Sequence, residues 1–253
     1  MPAPDLGAHF DAIASEYAGL RDSSAGGRVT DALVRTADLA GRSVLDVGCG
    51  PGRLLADLAS RHRVHPMGVD RSRAMIAAAR AELGPGARLS VGAAEALPYR
   101  DGEIERAVTT MAVHLMDRGR AFAELHRVLR SDGRLAIATA DPAYFDRGWM
   151  APFFPSYAAA DRNRFPTADT LRAELRTAGF SDVSGESLAI PRVLTRRHAI
   201  DNFAAPRVFN VRIPVRRRMA ARSQPRRTSA ARHGALHPSH AAGCRTAVST
   251  ACA

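Results

Sequence analysis

The chain of 253 residues, 46% of them hydrophobic, is long enough to bury one substantial core. No apolar run reaches the roughly 18 residues of a membrane span, and residues 1–20 lack the basic and then apolar pattern of a secretory signal. The three cysteines have neither metal-site nor disulfide-framework spacing, so we predict a cytoplasmic protein with no metal site and no membrane partner.

The charge of the chain is concentrated in its last fifty or so residues. All 36 basic residues are arginine, and the formal net charge is +11. Residues 1–201 contain 26 arginines and 25 acidic residues, whereas residues 202–253 contain 10 arginines and no acidic residue. Such a basic segment binds nucleic acid or anionic lipid in some proteins, but its composition also fits a solvated tail. We favour the tail and do not expect nucleic acid as a partner.

The hydrophobic pattern alternates between strands and helices from residue 28 to residue 190. The predicted strands are 42–47, 64–70, 87–91, 106–110, 134–139 and 182–190. The predicted helices are 28–39, one that ends near residue 61, 73–83 with Ser72 as its N-cap, 121–130 and 167–178. This alternation predicts an α/β fold, a single doubly wound Rossmann-like domain with a mostly parallel sheet.

The amino-acid composition changes after Asp141. Residues 142–166 contain four prolines and many of the aromatic residues, Trp149 among them. Because disordered segments rarely contain so many aromatic side chains, we predict a cap or substrate-side insertion. An extended surface loop is the alternative interpretation.

The residues with the clearest chemical meaning form a glycine-rich turn between the first strand and the next helix. Residues 44–52 read Val-Leu-Asp-Val-Gly-Cys-Gly-Pro-Gly, with the acid at Asp46. Glycines let the backbone approach a ligand closely, and the following helix N-terminus offers free N–H groups. Asp70 ends the second strand, where a carboxylate can accept hydrogen bonds from both ribose hydroxyls of a nucleoside.

Several segments in order resemble the class I S-adenosylmethionine-dependent methyltransferases. Residues 44–52 resemble motif I, and residues 68–72 (Gly-Val-Asp-Arg-Ser) resemble the acidic segment that follows it. Residues 92–99 (Gly-Ala-Ala-Glu-Ala-Leu-Pro-Tyr) are similar to the adenine-side motif, and residues 125–135 to the segment entering the fifth strand. The resemblance extends over about residues 10–200. It is closest to the type 11-like, small-molecule branch that includes quinone-biosynthesis enzymes.

The resemblance implies S-adenosyl-L-methionine as the cofactor and methyl transfer to a small-molecule acceptor. Gly48 and Gly50 would line the methionine end of the cofactor, with Asp46 nearby. Asp70 would hold the ribose, and the backbone of Met111 would contact the cofactor's amino group.

On the adenine side, the resemblance implies that Arg71 and Met75 flank the pocket and that Ala94 and Glu95 lie beside the ring. Ala93 departs from the pattern, because the family often has an acid there.

Three further residues complete the predicted site. Tyr17 and Arg21 lie on an N-terminal helix that often closes over the cofactor in this family. His114, which follows the fourth strand, is our candidate catalytic base. A histidine packed at the end of the strand is the alternative interpretation.

The predicted domain organisation has three parts. Residues 1–40 form an N-terminal helical lid, and residues 41–201 form the methyltransferase domain. Residues 202–253 form a basic, disordered tail in which we find no candidate for the final antiparallel strand of the fold, so we predict that this strand is missing. To explain the composition of this tail, our hypothesis is that the reading frame shifts near residues 204–212. The competing hypothesis is that the tail is a nucleic-acid-binding extension.

Two other functions stay open at this stage. A nicotinamide-dependent oxidoreductase also combines a glycine turn with an acid on the second strand, but it leaves the later segments unexplained. A non-catalytic or defective methyltransferase paralogue is the second alternative, which the tail and Ala93 motivate.

Overall fold

The structure is a computed structural model that describes residues 6–20, 26–147, 151–192 and 242–252. Arg21 and residues 193–241, which include most of the predicted tail, lie outside these ranges. Within them, no helix is both long enough and apolar enough to cross a bilayer.

The described residues form helices on both sides of one sheet. The helices are α1 (Leu6–Leu20), α2 (Gly26–Ala37), α3 (Arg53–His62), α4 (Arg73–Leu83), α5 (Arg118–Val128), α6 (Ala143–Arg147), α7 (Pro155–Arg164) and α8 (Ala168–Thr177). The strands are β1 (Ser43–Val47), β2 (His65–Asp70), β3 (Arg88–Val91), β4 (Ile104–Thr110), β5 (Leu129–Ala140), β6 (Ser181–Arg192) and β7 (Ala242–Cys252).

The sheet has the order β3-β2-β1-β4-β5-β7-β6. The first five strands in that order pair in parallel, and β7 is antiparallel to both of its neighbours. The predicted α/β fold with a mostly parallel sheet is confirmed. The strand order reverses between β1 and β4, and ligands of doubly wound proteins bind at such a reversal.

Local signals place several elements where the sequence predicts them. Ser72 caps α4 by accepting a hydrogen bond of 3.0 Å from the backbone N–H of Met75. Thr167 caps α8 in the same way. Asp132 and Gly133 lie in an irregularity within β5, because the residue of β5 that pairs with β4 changes from Leu129 to Arg134 between Ile104 and Arg106.

Both faces of the central strands are buried. Along β5, Leu135 and Ile137 belong to the apolar cluster that contains Phe122 of α5, whereas Ala136 and Ala138 belong to the cluster on the opposite face. This alternation has the period of two that a strand requires. The core therefore consists of two layers that hold the strand ends of β1, β2 and β4 in fixed positions.

The residues of β7 correct the prediction that the final antiparallel strand is missing. This strand pairs with β5 from Arg134↔Cys252 to Ala140↔Thr246 and with β6 from Ser181↔Cys252 to Arg192↔Ala242. Its sequence is made mostly of Ala, Ser, Thr, Gly and Cys. Such residues give little hydrophobic contrast, so a periodicity argument misses them, whereas pairing needs only backbone N–H and C=O groups.

Helices α6 and α7 occupy the segment predicted to be a cap or an insertion. The described part of residues 142–166 is therefore largely helical, which differs from the alternative of an extended loop.

Candidate functional site

A cavity opens at the carboxyl ends of β1, β2 and β4, where the strand order reverses. The described residues that line it are Phe10, Asp46, Gly48, Cys49, Gly50, Pro51, Arg53, Leu54, Asp70, Arg71, Met75, Gly92, Ala94, Thr110, Met111, Ala112, Leu115 and Met116. The cavity thus brings residues from three strand ends and from α1 to one place.

Most of the residues predicted to bind a cofactor meet at this cavity. Those that line it are Asp46, Gly48, Gly50, Asp70, Arg71, Met75, Ala94 and Met111. Glu95 and His114 are not among the lining residues. Tyr17 lies on α1, but its side chain falls outside the described part of the chain, as does the whole of Arg21.

The turn after β1 has a backbone that favours glycine. Gly48, Gly50 and Gly52 have φ angles of 77°, 52° and 81°. A Cβ atom at Gly48 would lie 2.7 Å from the Cβ of Ala112, a distance that real Cβ atoms essentially never show. At Gly48 the turn therefore lies so close to the segment after β4 that no side chain fits between them.

The carboxylate of Asp70 is tied to this turn. One oxygen accepts a hydrogen bond of 2.9 Å from the N–H of Gly50, and the other accepts one of 2.9 Å from the N–H of Ser72. Burial raises the pKa of Asp70, and the two backbone hydrogen bonds oppose that change. Each oxygen keeps a further acceptor position, so the carboxylate is oriented and can still receive hydroxyl donors.

Glu95 acts on the cavity through its neighbours. It accepts a hydrogen bond of 3.0 Å from the guanidinium of Arg71 and another of 2.9 Å from the N–H of Asp117, at the start of α5. The side chain of Arg71, which lines the cavity, is thereby held against the loop after β3.

Met111 adopts a left-handed backbone conformation directly after β4, with a φ angle of 53°. Its N–H donates a hydrogen bond of 2.8 Å to the carbonyl of Ala138 in β5. Few non-glycine residues have a positive φ angle, and such residues often lie at functional sites. Because the N–H is used within the sheet, the carbonyl is the backbone group that remains for the predicted contact with a cofactor amino group.

Cys49 is a packing residue in this geometry. It is buried, and burial, followed by the nearby charges of Asp46 and Asp70, raises the pKa of its thiol. Its Sγ atom lies 2.9 Å from the position of a Cβ atom built at Gly68. The thiol therefore fills the space that the glycine leaves.

His114 lies outside the cavity lining and packs against an aromatic ring. It belongs to a single 3-10 turn, Val113–Leu115, and its ring stacks on Phe165 with centroids 3.9 Å apart. Burial, and secondly the charge of Arg164, lowers the pKa of His114 to about 3. A histidine with that pKa is a weak base at neutral pH. This geometry gives no support to the prediction that His114 is the catalytic base and agrees with the alternative of a packed histidine.

Two neighbouring residues of α1 belong to the site but were missed by the sequence argument. Phe10 lines the cavity. Asp11 accepts hydrogen bonds of 2.5 Å from the hydroxyl of Ser72 and 3.0 Å from the N–H of Ala74, at the start of α4. An acid at a helix N-terminus is a known stabilising arrangement, but the sequence gives no sign that these helices meet.

Comparisons with known proteins agree with this arrangement. A family model described as a methyltransferase domain matches residues 44–133. The methyltransferase GfsG of Streptomyces halstedii is 40% identical over 124 residues, which are 46% of this chain and 44% of that protein. The O-methyltransferase rstn1 of Aspergillus nomiae is 30% identical over 157 residues, 58% of this chain and 67% of that protein.

Among solved structures, YcgJ from Bacillus subtilis superimposes with a TM-score of 0.59 at 18% identity and covers 89% of this chain and 97% of that one. At this identity the likeness concerns the fold alone. The chain spans about half the length of the first curated relatives that it matches, between 44% and 56% of each.

Proposed function

Because the chain belongs to the class I S-adenosylmethionine-dependent methyltransferases, we propose that it methylates a small-molecule acceptor in the cytoplasm. The observation that carries the proposal is the joint geometry of Asp70 and the glycine turn. A buried carboxylate accepts the N–H of Gly50, while Gly48 leaves no room for a side chain next to Ala112. This combination fits a nucleoside with a charged amino-acid end.

The residues of the turn and of β4 bind the amino-acid end in this proposal. Backbone groups of Gly48 and Gly50 contact the methionine portion, and the carbonyl of Met111 accepts from its ammonium group. Asp46, which is 2% exposed and lines the cavity, adds negative charge on the same side. An ammonium group is stabilised by such neighbouring acceptors and charge.

Asp70 and the loop after β3 bind the adenosine end. The two oxygens of Asp70 accept from the ribose hydroxyls, with their orientation fixed by Gly50 and Ser72. Met75 and Ala94 provide apolar contact for the adenine ring. Glu95 is not among the lining residues and acts indirectly, because it holds Arg71, which lines the cavity.

The acceptor side of the proposed site is mostly apolar. The cavity lining also includes Phe10, Leu54, Leu115 and Met116, and we assign these apolar side chains to the acceptor, which favours an apolar, uncharged acceptor group. When bound, S-adenosyl-L-methionine supplies a methyl group on a positively charged sulfur. The protein's part is to align the acceptor with that methyl group and to exclude water, which raises the rate of an in-line displacement.

Isothermal calorimetry with S-adenosylhomocysteine and with NAD tests the proposal. We expect the protein to bind S-adenosylhomocysteine and not NAD. The affinity for S-adenosylhomocysteine should be lower by roughly 10- to 100-fold in Asp70→Asn, because the variant lacks a charged hydrogen-bond acceptor. The matched control is Asp57→Asn, which removes a partly exposed carboxylate that pairs with Arg61 at 3.1 Å. Binding of NAD alone would support an oxidoreductase, and binding of neither would support a non-catalytic paralogue.

Transfer of a labelled methyl group to a panel of metabolites would then identify the acceptor. We expect label in a neutral, partly aromatic or aliphatic compound. Transfer to a nucleic acid or to a strongly charged metabolite would contradict the proposed acceptor class.

A further inference from the structure

The loop between β3 and β4 is held from outside the cavity by one arginine of α5. The guanidinium of Arg127 donates from Nη1 to the carbonyl of Tyr99 at 2.9 Å and to the carboxylate of Asp101 at 2.7 Å. From Nη2 it donates to the carbonyl of Leu97 at 3.3 Å. Three of its hydrogen bonds therefore reach three residues of one loop.

Glu124, one turn earlier on α5, completes this arrangement. Its carboxylate accepts hydrogen bonds from Nε and Nη2 of Arg127 at 2.7 and 2.8 Å, and it also accepts one from the N–H of Leu97 at 2.8 Å. All five N–H donors of the guanidinium are then in use. The hydrogen bond from Arg127 lowers the pKa of Glu124, so this carboxyl is charged at neutral pH.

The same loop forms the adenine-side wall of the cavity. Gly92 and Ala94 line the cavity, and Ala94 lies three residues before Leu97. The side chains of Leu97 and Tyr99 are buried, at 5% and 9% exposed, whereas Ala96 and Pro98 are exposed. A shift of the loop at Leu97 is transmitted to the wall, because the buried side chain of Leu97 has little room to move and the N–H of the preceding Ala96 donates a hydrogen bond of 3.1 Å to the carbonyl of Ala93.

We propose that Glu124 and Arg127 are positioning residues that set the adenine-side wall through the backbone of Leu97 and Tyr99. The inference rests on the proposed function for the identity of the ligand. Neither side chain is among the residues that line the cavity, so both act through the loop. A lysine cannot replace Arg127, because an ammonium group has three donors on a flexible stem and cannot reproduce a planar set of five.

The same helix offers a matched control pair. Arg118 donates two hydrogen bonds, of 2.6 and 2.9 Å, to the carboxylate of Glu174 in α8. The side chains are 26% and 30% exposed, close to the 33% and 22% of Arg127 and Glu124. This pair joins two helices and, within the described part of the chain, its side chains make no hydrogen bond to the loop, so its loss should affect stability without moving the wall.

The experiment compares Arg127→Lys and Glu124→Gln with Arg118→Lys in the full chain. Calorimetry measures affinity for S-adenosylhomocysteine and for S-inosylhomocysteine, whose base presents a different hydrogen-bonding edge. We expect Arg127→Lys and Glu124→Gln to lower the affinity for S-adenosylhomocysteine by about tenfold and to reduce the preference for adenine over hypoxanthine. The double variant should lose no more than the stronger single variant, because both residues act through one contact.

Hydrogen–deuterium exchange of residues 92–101 gives a readout that does not depend on the ligand. Exchange there should accelerate in the two loop-facing variants and stay unchanged in Arg118→Lys. Unchanged affinity and exchange in a folded Arg127→Lys protein would overturn the inference, as would equal losses in Arg118→Lys. If the wild-type protein binds no S-adenosylhomocysteine, the proposed function fails, and the exchange comparison alone decides whether α5 fixes the loop.

Discussion

Replacement of Gly48 by alanine is the sharpest perturbation of the glycine turn. Its backbone has a φ angle of 77°, which costs an alanine roughly 1–2 kcal/mol. The new methyl group would also lie 2.7 Å from the Cβ of Ala112, an overlap that costs about 1–3 kcal/mol when the core has to shift. The free energy of unfolding should therefore fall by about 2–5 kcal/mol in total.

Gly41→Ala separates these two costs. Gly41 has a similar φ angle of 71°, but a Cβ atom there would have no heavy atom within 4 Å. We expect this variant to lose only the backbone cost of roughly 1–2 kcal/mol. Urea unfolding of both variants, followed by calorimetry with S-adenosylhomocysteine, gives the comparison. Affinity should fall at least tenfold in Gly48→Ala and stay unchanged in Gly41→Ala.

Equal stability losses in the two variants would refute the close approach between the turn and the segment after β4. Unchanged affinity in a folded Gly48→Ala protein would refute the assignment of the turn to ligand binding.

Four further outcomes follow from the described geometry. The folded-state pKa of His114, about 3, lies below its ordinary 6.5, so the neutral ring makes its full contribution to the free energy of unfolding above pH 6.5. That contribution falls by about 1.4 kcal/mol per pH unit as the pH drops from 6.5 toward 3, and His114→Phe should reduce this pH dependence in urea titrations. Burial raises the pKa of the Cys49 thiol and so disfavours the reactive thiolate. Mass spectrometry should therefore show that iodoacetamide modifies the Cys49 peptide in the unfolded protein and hardly at all in the native one. Asp11→Asn should weaken both hydrogen bonds to the start of α4 and raise protease sensitivity within α1, whereas unchanged proteolysis would contradict that contact. Deletion of residues 242–253 should lower the melting temperature by several degrees or more, and an unchanged melting curve would show that β7 adds nothing to the sheet.

The sequence predicts those features that are encoded locally. The cap at Ser72, the acid at Asp70 and the glycines of the turn each depend on residues a few positions apart or on a strand end, and the structure has them together. The alternation of strands and helices likewise predicts the parallel part of the sheet.

Features that depend on distant partners were not predictable in this way. Asp11 meets Ser72 across 61 positions, and Glu124 meets Leu97 across 27, with no local pattern to mark either contact. His114 illustrates the same limit, because its stacking on Phe165 depends on how α7 packs. The strand β7 was missed for a different reason. Its pairing uses backbone groups, so its small residues need not form a recognisable side-chain pattern.

The position of β7 imposes an order on the assembly of the protein. Among the described strands, β6 pairs only with β7, yet residues 193–241 separate the two in the chain. While residues 242–252 are still being synthesised, β5 and β6 both expose unpaired strand edges, and such edges recruit other chains. We therefore expect an aggregation-prone folding intermediate that persists until β7 inserts between β5 and β6. The yield of folded protein should depend on chaperones that cover these strand edges until then.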